Sequence, residues 1–226
     1  MIVLQGFEYH IDVVFCVDVT ADMAPVLDHI KETVCRSPQI LKGKLAAKGK
    51  IVNSLRVRVI AFRDFADDPD PMRASDFIEV EPNADLAGLE SFINSLSAFG
   101  GGDEPESGLE ALATAIMSDW THKGDKQRHI IVMFTSASAH KLESRIGELP
   151  KEFKDLIPGS FDELTDRWNG DQSVRLIRSA RRLLIVGPDA YPWNVINDAW
   201  GNTVWFPVPG GFISGDDVGE ILANSI

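Results

Sequence analysis

The chain has 226 residues, with 22 Lys and Arg against 34 Asp and Glu, for a formal net charge of −12. That excess of acid argues against a nonspecific grip on nucleic acid or on an anionic membrane, since both need a basic face. Two cysteines, Cys16 and Cys35, exclude a disulfide-rich scaffold and a cysteine-rich zinc module.

At this length roughly 70% of the unfolded surface goes inside, enough for a sizeable core. No Pro/Gly/Ser-rich linker or internal repeat interrupts the chain, so one domain over residues 1–226 is expected. No run of about 18 apolar residues is present to span a membrane. Residues 1–5 lack the basic region and apolar run of a signal peptide, so a cytoplasmic protein is expected.

Apolar runs at 11–17, 55–62, 129–134, 183–186 and 203–208 have strand length and many β-branched residues. The runs at 11–17, 129–134 and 183–186 are nearly continuous, as in strands covered on both faces. At 55–62 Leu55, Val57 and Val59 alternate with Arg56 and Arg58. Residues 77–80 predict a short outer strand. Helical spacing marks 23–35, 86–96 and 104–120, more weakly 161–168 and 173–180, and again 190–200 and 216–226. This order predicts an α/β fold: a doubly wound, mostly parallel six-stranded sheet with one short antiparallel edge strand and helices on both faces. Residues 136–159 form a long connection of mixed charge. It reads as a lid, a partner-facing loop or a surface insertion.

Ligands of such sheets sit beyond the carboxyl ends of the strands. After the first run come Asp18, Thr20 and Asp22, which alternate in a turn feeding a helix. Alternate residues of an extended turn face one side, so two carboxylates and a hydroxyl converge there. Hard oxygen donors suit Mg²⁺, Mn²⁺ or Ca²⁺ rather than zinc. Asp103 follows three glycines that permit close backbone approach, and adds a third carboxylate if its loop reaches the same point. The competing reading makes Asp22 a simple helix cap and leaves Asp18 without a role.

Four segments in order carry a family resemblance. IDVVFCVDVTADM, VRVIAFRDFAD, LSAFGGGDEPESGLEALATAI and HIIVMFTSASAH together resemble a von Willebrand factor A domain over residues of about 10 to 140. The resemblance implies a metal-ion-dependent adhesion site. One Mg²⁺, Mn²⁺ or Ca²⁺ per chain is held by three loops, with a coordination position left for a carboxylate of a partner protein. By position the metal residues are Asp18, Thr20 and Asp22 from the first loop and Asp103 from the second, with Ser136 in the third. Two of them depart from the family pattern. Ser136 replaces the usual Asp, and Asp22 replaces the usual Ser, so one carboxylate is lost and one gained. The Gly-Gly-Gly-Asp-x-x-Glu form resembles domains found beside kinases, phosphatases and chaperone-like ATPases, which implies a partner encoded nearby.

Other residues invite a role. Arg63, Asp64, Asp67 and Asp68 read as a solvated acidic loop or the rim of the site. Glu104 and Glu106 read as complementing a helix dipole or orienting a metal-bound water. His140 reads as a surface histidine, and Trp193 as packing or partner-facing. The expected function is a cation-dependent, non-enzymatic protein-binding module inside the cell. A metal-free interaction domain is the alternative that Ser136 motivates. A Mg²⁺-dependent phosphohydrolase fits less well, because position 20 is Thr and no Lys follows a predicted strand near the motif. No residue is assigned as catalytic.

Overall fold

A computed structural model describes residues 7–81, 86–102, 104–145, 149–208 and 213–224. In chain order the elements are β1 (Tyr9–Asp18), α1 (Leu27–Ala47), β2 (Val52–Phe62), β3 (Met72–Ala74), β4 (Ile78–Glu81), α2 (Leu86–Asn94), α3 (Gly108–Ile116), β5 (Lys126–Phe134), α4 (Leu142–Arg145), α5 (Phe161–Trp168), β6 (Arg181–Gly187), α6 (Trp193–Ala199), β7 (Thr203–Pro207) and α7 (Gly215–Asn224). Short 3-10 turns lie at Ala21–Met23 and Lys151–Phe153.

The sheet has seven strands in the order β3-β2-β1-β5-β6-β7, with β4 also on β2. Its five long strands pair in parallel, and β3 and β4 pair antiparallel with β2. The central strands are apolar on both faces because both faces are covered. In β1, Ile11, Val13, Phe15 and Val17 enter one core, packed with α1, α2 and α7. Val14 and Cys16 enter the other, packed with α3, α5 and α6. The same division recurs in β5, with Ile130, Val132 and Phe134 on one side and Ile131 and Met133 on the other.

The α/β class and both helical layers are as the sequence predicts. Several boundaries differ, each for a physical reason. The sheet gains a seventh strand, β3, whose three residues carry no alternation to announce it. Helix α1 begins at Leu27 because residues 21–23 form a 3-10 turn and Pro25 follows. It runs past Cys35 and through Pro38, because Leu41 and Leu45 continue the buried stripe; their burial outweighs the hydrogen bond that Pro38 cannot donate. Helix α3 starts only at Gly108, since Glu106 is bridged to Ala139 in extended pairing. Residues 173–180 hold no helix; the Ile177 amide donates instead to His129 Nδ1 at 3.2 Å. Within 136–159, Ala137, Ala139, Leu142, Leu149 and Ile157 are buried, so this segment is packed against the second core over its described residues.

Strand order reverses direction between β1 and β5, since β2 lies on one side of β1 and β5 on the other. A crevice opens at the carboxyl ends of such a pair. Asp18 ends β1 and Thr135 follows β5, so both stand at that crevice.

Candidate functional site

Asp18 is fully buried, and its oxygens are occupied by the chain itself. Oδ1 accepts from the Thr20 amide at 2.9 Å and from Thr20 Oγ1 at 2.7 Å. Oδ2 accepts from Thr135 Oγ1 at 2.8 Å, and the Ser136 amide also donates to this carboxylate. Burial raises the Asp18 pKa, and these four hydrogen bonds oppose the rise. The geometry makes Asp18 an orienting group. Thr20 has a single hydroxyl proton and gives it to Asp18, so its lone pairs are left for the space beyond.

That space is a hollow of about 130 Å³ lined by Thr20, Ala21, Asp22, Gly100, Gly101, Gly102, Glu104, Glu106 and Ala137. Backbone bonds tie its walls together. The Phe99 amide donates to Val19 O, and the Ala21 amide to Gly100 O, each at 3.1 Å. Arg63 is 4% exposed and clamps the glycine loop from beneath. Its guanidinium donates to the carbonyls of Phe99, Asp70 and Ser97, each at 3.0 Å, and stacks 3.7 Å from the Phe99 ring. Asp68 Oδ2 accepts from the Gly101 amide at 2.9 Å. Gly101 has φ +93°, and a Cβ there would lie 2.5 Å from Glu106 Oε1 and 2.7 Å from Thr20 Cβ. Only glycine lets the second loop close on the first.

Glu106 is 6% exposed, and its Oε2 is buried without a hydrogen-bond partner. Its backbone is fixed on both sides: the amide donates to Ser138 O, and the carbonyl accepts from the His140 amide, each at 3.0 Å. Burial pushes its carboxyl up to about 9, and the charges of Asp18, Asp64, Asp68 and Asp22 add to the rise. A buried acid oxygen left unpartnered among other acids lacks a positive counterpart. Asp22 is exposed at the mouth of the hollow.

No protein-family model and no curated protein matches the sequence. Solved structures match in shape. The pilus adhesin SpaC from Lactobacillus rhamnosus GG matches at a TM-score of 0.56 and 10% identity, over 97% of this chain and 31% of SpaC. That likeness is one of fold: a mostly parallel sheet between two helical layers. The vWF domain of the type V pili tip protein Mfa5 from Porphyromonas gingivalis has a TM-score of 0.37 at 20% identity, over 58% of this chain and 39% of that structure. The chain thus spans less than two-fifths of the length of either protein.

On this frame, the structure brings Thr20 and Asp22 to one hollow, with Asp18 behind Thr20. Ser136 meets Asp18 through its amide. Asp103 lies outside the described residues. Among those described, no three His, Cys, Asp or Glu side chains form a ready metal cage. The donors among the described residues are instead a hydroxyl with free lone pairs, the buried carboxylate of Glu106 and the exposed carboxylates of Asp22 and Glu104.

Several side chains hold positions that differ from expectation. Asp64 is 1% exposed rather than solvated, and accepts from the Ala66 amide at 2.9 Å. His140 is tied to it, with Nε2 3.0 Å from Asp64 Oδ2. Trp193, by contrast, takes the packing place expected of it rather than a partner-facing one: it is fully buried and donates from Nε1 to Ala137 O at 2.8 Å. Thr135, unremarked in the sequence, supplies one of the two hydroxyls on Asp18. Glu106 moves from a helix end to the site because its segment is extended. Among the described residues no helix is long and apolar enough to cross a membrane.

Proposed function

We propose that the chain is a divalent-cation-dependent protein-binding module that recruits a carboxylate of a partner protein. The carrying observation is Glu106, whose Oε2 is buried and unpartnered and which lines, with Thr20, a hollow rimmed by acids. The donor chemistry fits Mg²⁺ or Mn²⁺: all oxygens, anionic, and drawn together by glycines. Thr20, Glu106 and Asp22 would hold one ion, with Asp103 completing the set. When bound, the ion supplies a positive centre that accepts an external carboxylate oxygen. The chain's own residues do the rest. Asp18 turns the Thr20 lone pairs outward. Thr135 and the Ser136 amide hold Asp18 in place. Arg63 and Gly101 keep the second loop against the first.

The role proposed is binding and not turnover: among the described residues the one hydroxyl lining the hollow, that of Thr20, is turned by Asp18 to serve as an ion ligand. A cytoplasmic adaptor, its partner a kinase, phosphatase or ATPase encoded nearby, is the setting we propose for it. SpaC, a pilus adhesin, has this fold, and its role in attachment accords with a binding module.

Titration calorimetry of chelator-treated protein with Mg²⁺, Mn²⁺ and Ca²⁺ tests the reading. Saturable one-to-one binding is expected, and is lost in Glu106→Gln and in Thr20→Val. Absence of cation binding by the wild type would favour the metal-free interaction domain.

A further inference from the structure

A second, larger depression of about 400 Å³ adjoins the hollow, lined by Pro105, Ser138, Ala139, His140, Lys141, Ser144 and Tyr191. The two share a wall. Glu104 and Glu106 face the hollow while Pro105 between them faces the groove, and Ala137 lines the one where Ser138 and Ala139 line the other. The wall is rigid: the Ser138 amide donates to Glu104 Oε1 at 2.9 Å, and Glu106 is bridged to Ala139. A chain whose carboxylate enters the hollow therefore continues over this groove.

The groove differs in charge from everything around the hollow. Asp22, Asp64, Asp67, Asp68, Glu104 and Glu106 make that end of the sheet acidic. Lys141 is the one Lys or Arg in the groove lining, and it is exposed. His140 is occupied by Asp64. Tyr191 is half-buried and presents an aromatic surface in the same lining. Among the described residues that line the hollow and the groove Lys141 is the one Lys or Arg, so opposite charge guides an acidic partner there.

We infer that the groove is the second half of a bipartite site, in which Lys141 takes a second carboxylate of an extended acidic peptide whose first carboxylate fills the hollow. This rests on the cation-dependent reading above. The Tyr191 side chain gives the intervening residues an aromatic surface to lie on.

The test uses capped fluorescent peptides with one Asp, and a series with a second Asp one to four residues along, titrated against the full chain in Mg²⁺. The best two-acid spacing is expected to bind roughly two- to fivefold tighter than the one-acid peptide, the size of an exposed ion pair. Lys141→Gln should erase that gain while leaving Mg²⁺ binding unchanged. Equal affinities in the wild type, or a gain that survives in Lys141→Gln, would overturn the groove while the cation reading stands. If Mg²⁺ binds but no peptide does, the carboxylate reading itself falls, and the groove with it. If Mg²⁺ does not bind, both fall.

Discussion

A buried carboxylate with an unpartnered oxygen is costly to keep ionised, and Glu106 meets that cost by holding a proton up to about 9. Cation binding needs the ionised form, so it must expel this proton. Near neutral pH, uptake of Mg²⁺ should therefore release about one proton per site, and affinity should rise by about tenfold per pH unit until Glu106 titrates. Calorimetry in buffers of different ionisation enthalpy reads the proton count. A pH-independent affinity between pH 6 and 8 would contradict it. His129 shows the opposite sign of shift. Its ring is fully buried, with Nε2 2.8 Å from Thr121 O and Nδ1 accepting from the Ile177 amide. The neutral ring satisfies both contacts, and burial lowers its pKa to about 4. Because the folded pKa lies below the unfolded value, its stabilisation is complete above about pH 6.5 and is lost as pH falls to about 4, on the order of 3 kcal/mol. An NMR titration should find the His129 ring neutral at pH 5.5; a midpoint near 6.5 would contradict the burial argument.

Loops and strands show why some of this was readable and some was not. β1, β5 and β6 are continuous apolar runs because helices cover both their faces, and such runs announce themselves. The spacing marks α1 only to residue 35, because its extension through Pro38 rests on the burial of Leu41 and Leu45, a tertiary fact. The first loop was legible from the alternation of Asp18, Thr20 and Asp22. Its division of labour was not: that Asp18 orients and Thr20 presents depends on Thr135, more than a hundred residues away. The burial of Arg63 and Asp64 was hidden for the same reason, since Arg63 reaches the carbonyls of Ser97 and Phe99 and Asp64 meets His140. The glycine loop gives the sharpest prediction at this scale. In Gly101→Ala the added Cβ meets Glu106 and Thr20 on a backbone at φ +93°. Unfolding in urea should show a loss of about 2 to 4 kcal/mol, and the weakened loop contact should abolish Mg²⁺ binding. Wild-type stability together with wild-type Mg²⁺ affinity would show that the two loops are not closed against each other.

Taken whole, the molecule sets its acids at one end of a doubly wound sheet, at the crevice where strand order reverses between β1 and β5. The architecture explains why residues from three distant segments meet there, and why the four sequence segments had to be read together. Part of the excess of acid in the composition is gathered around the hollow. The most direct measurement is diffraction at the manganese absorption edge from crystals grown with Mn²⁺. An anomalous peak within coordination distance of Thr20 Oγ1 and a Glu106 carboxylate oxygen is the predicted result. A manganese-loaded crystal with no peak there, or with peaks only on exposed surface carboxylates, would contradict it.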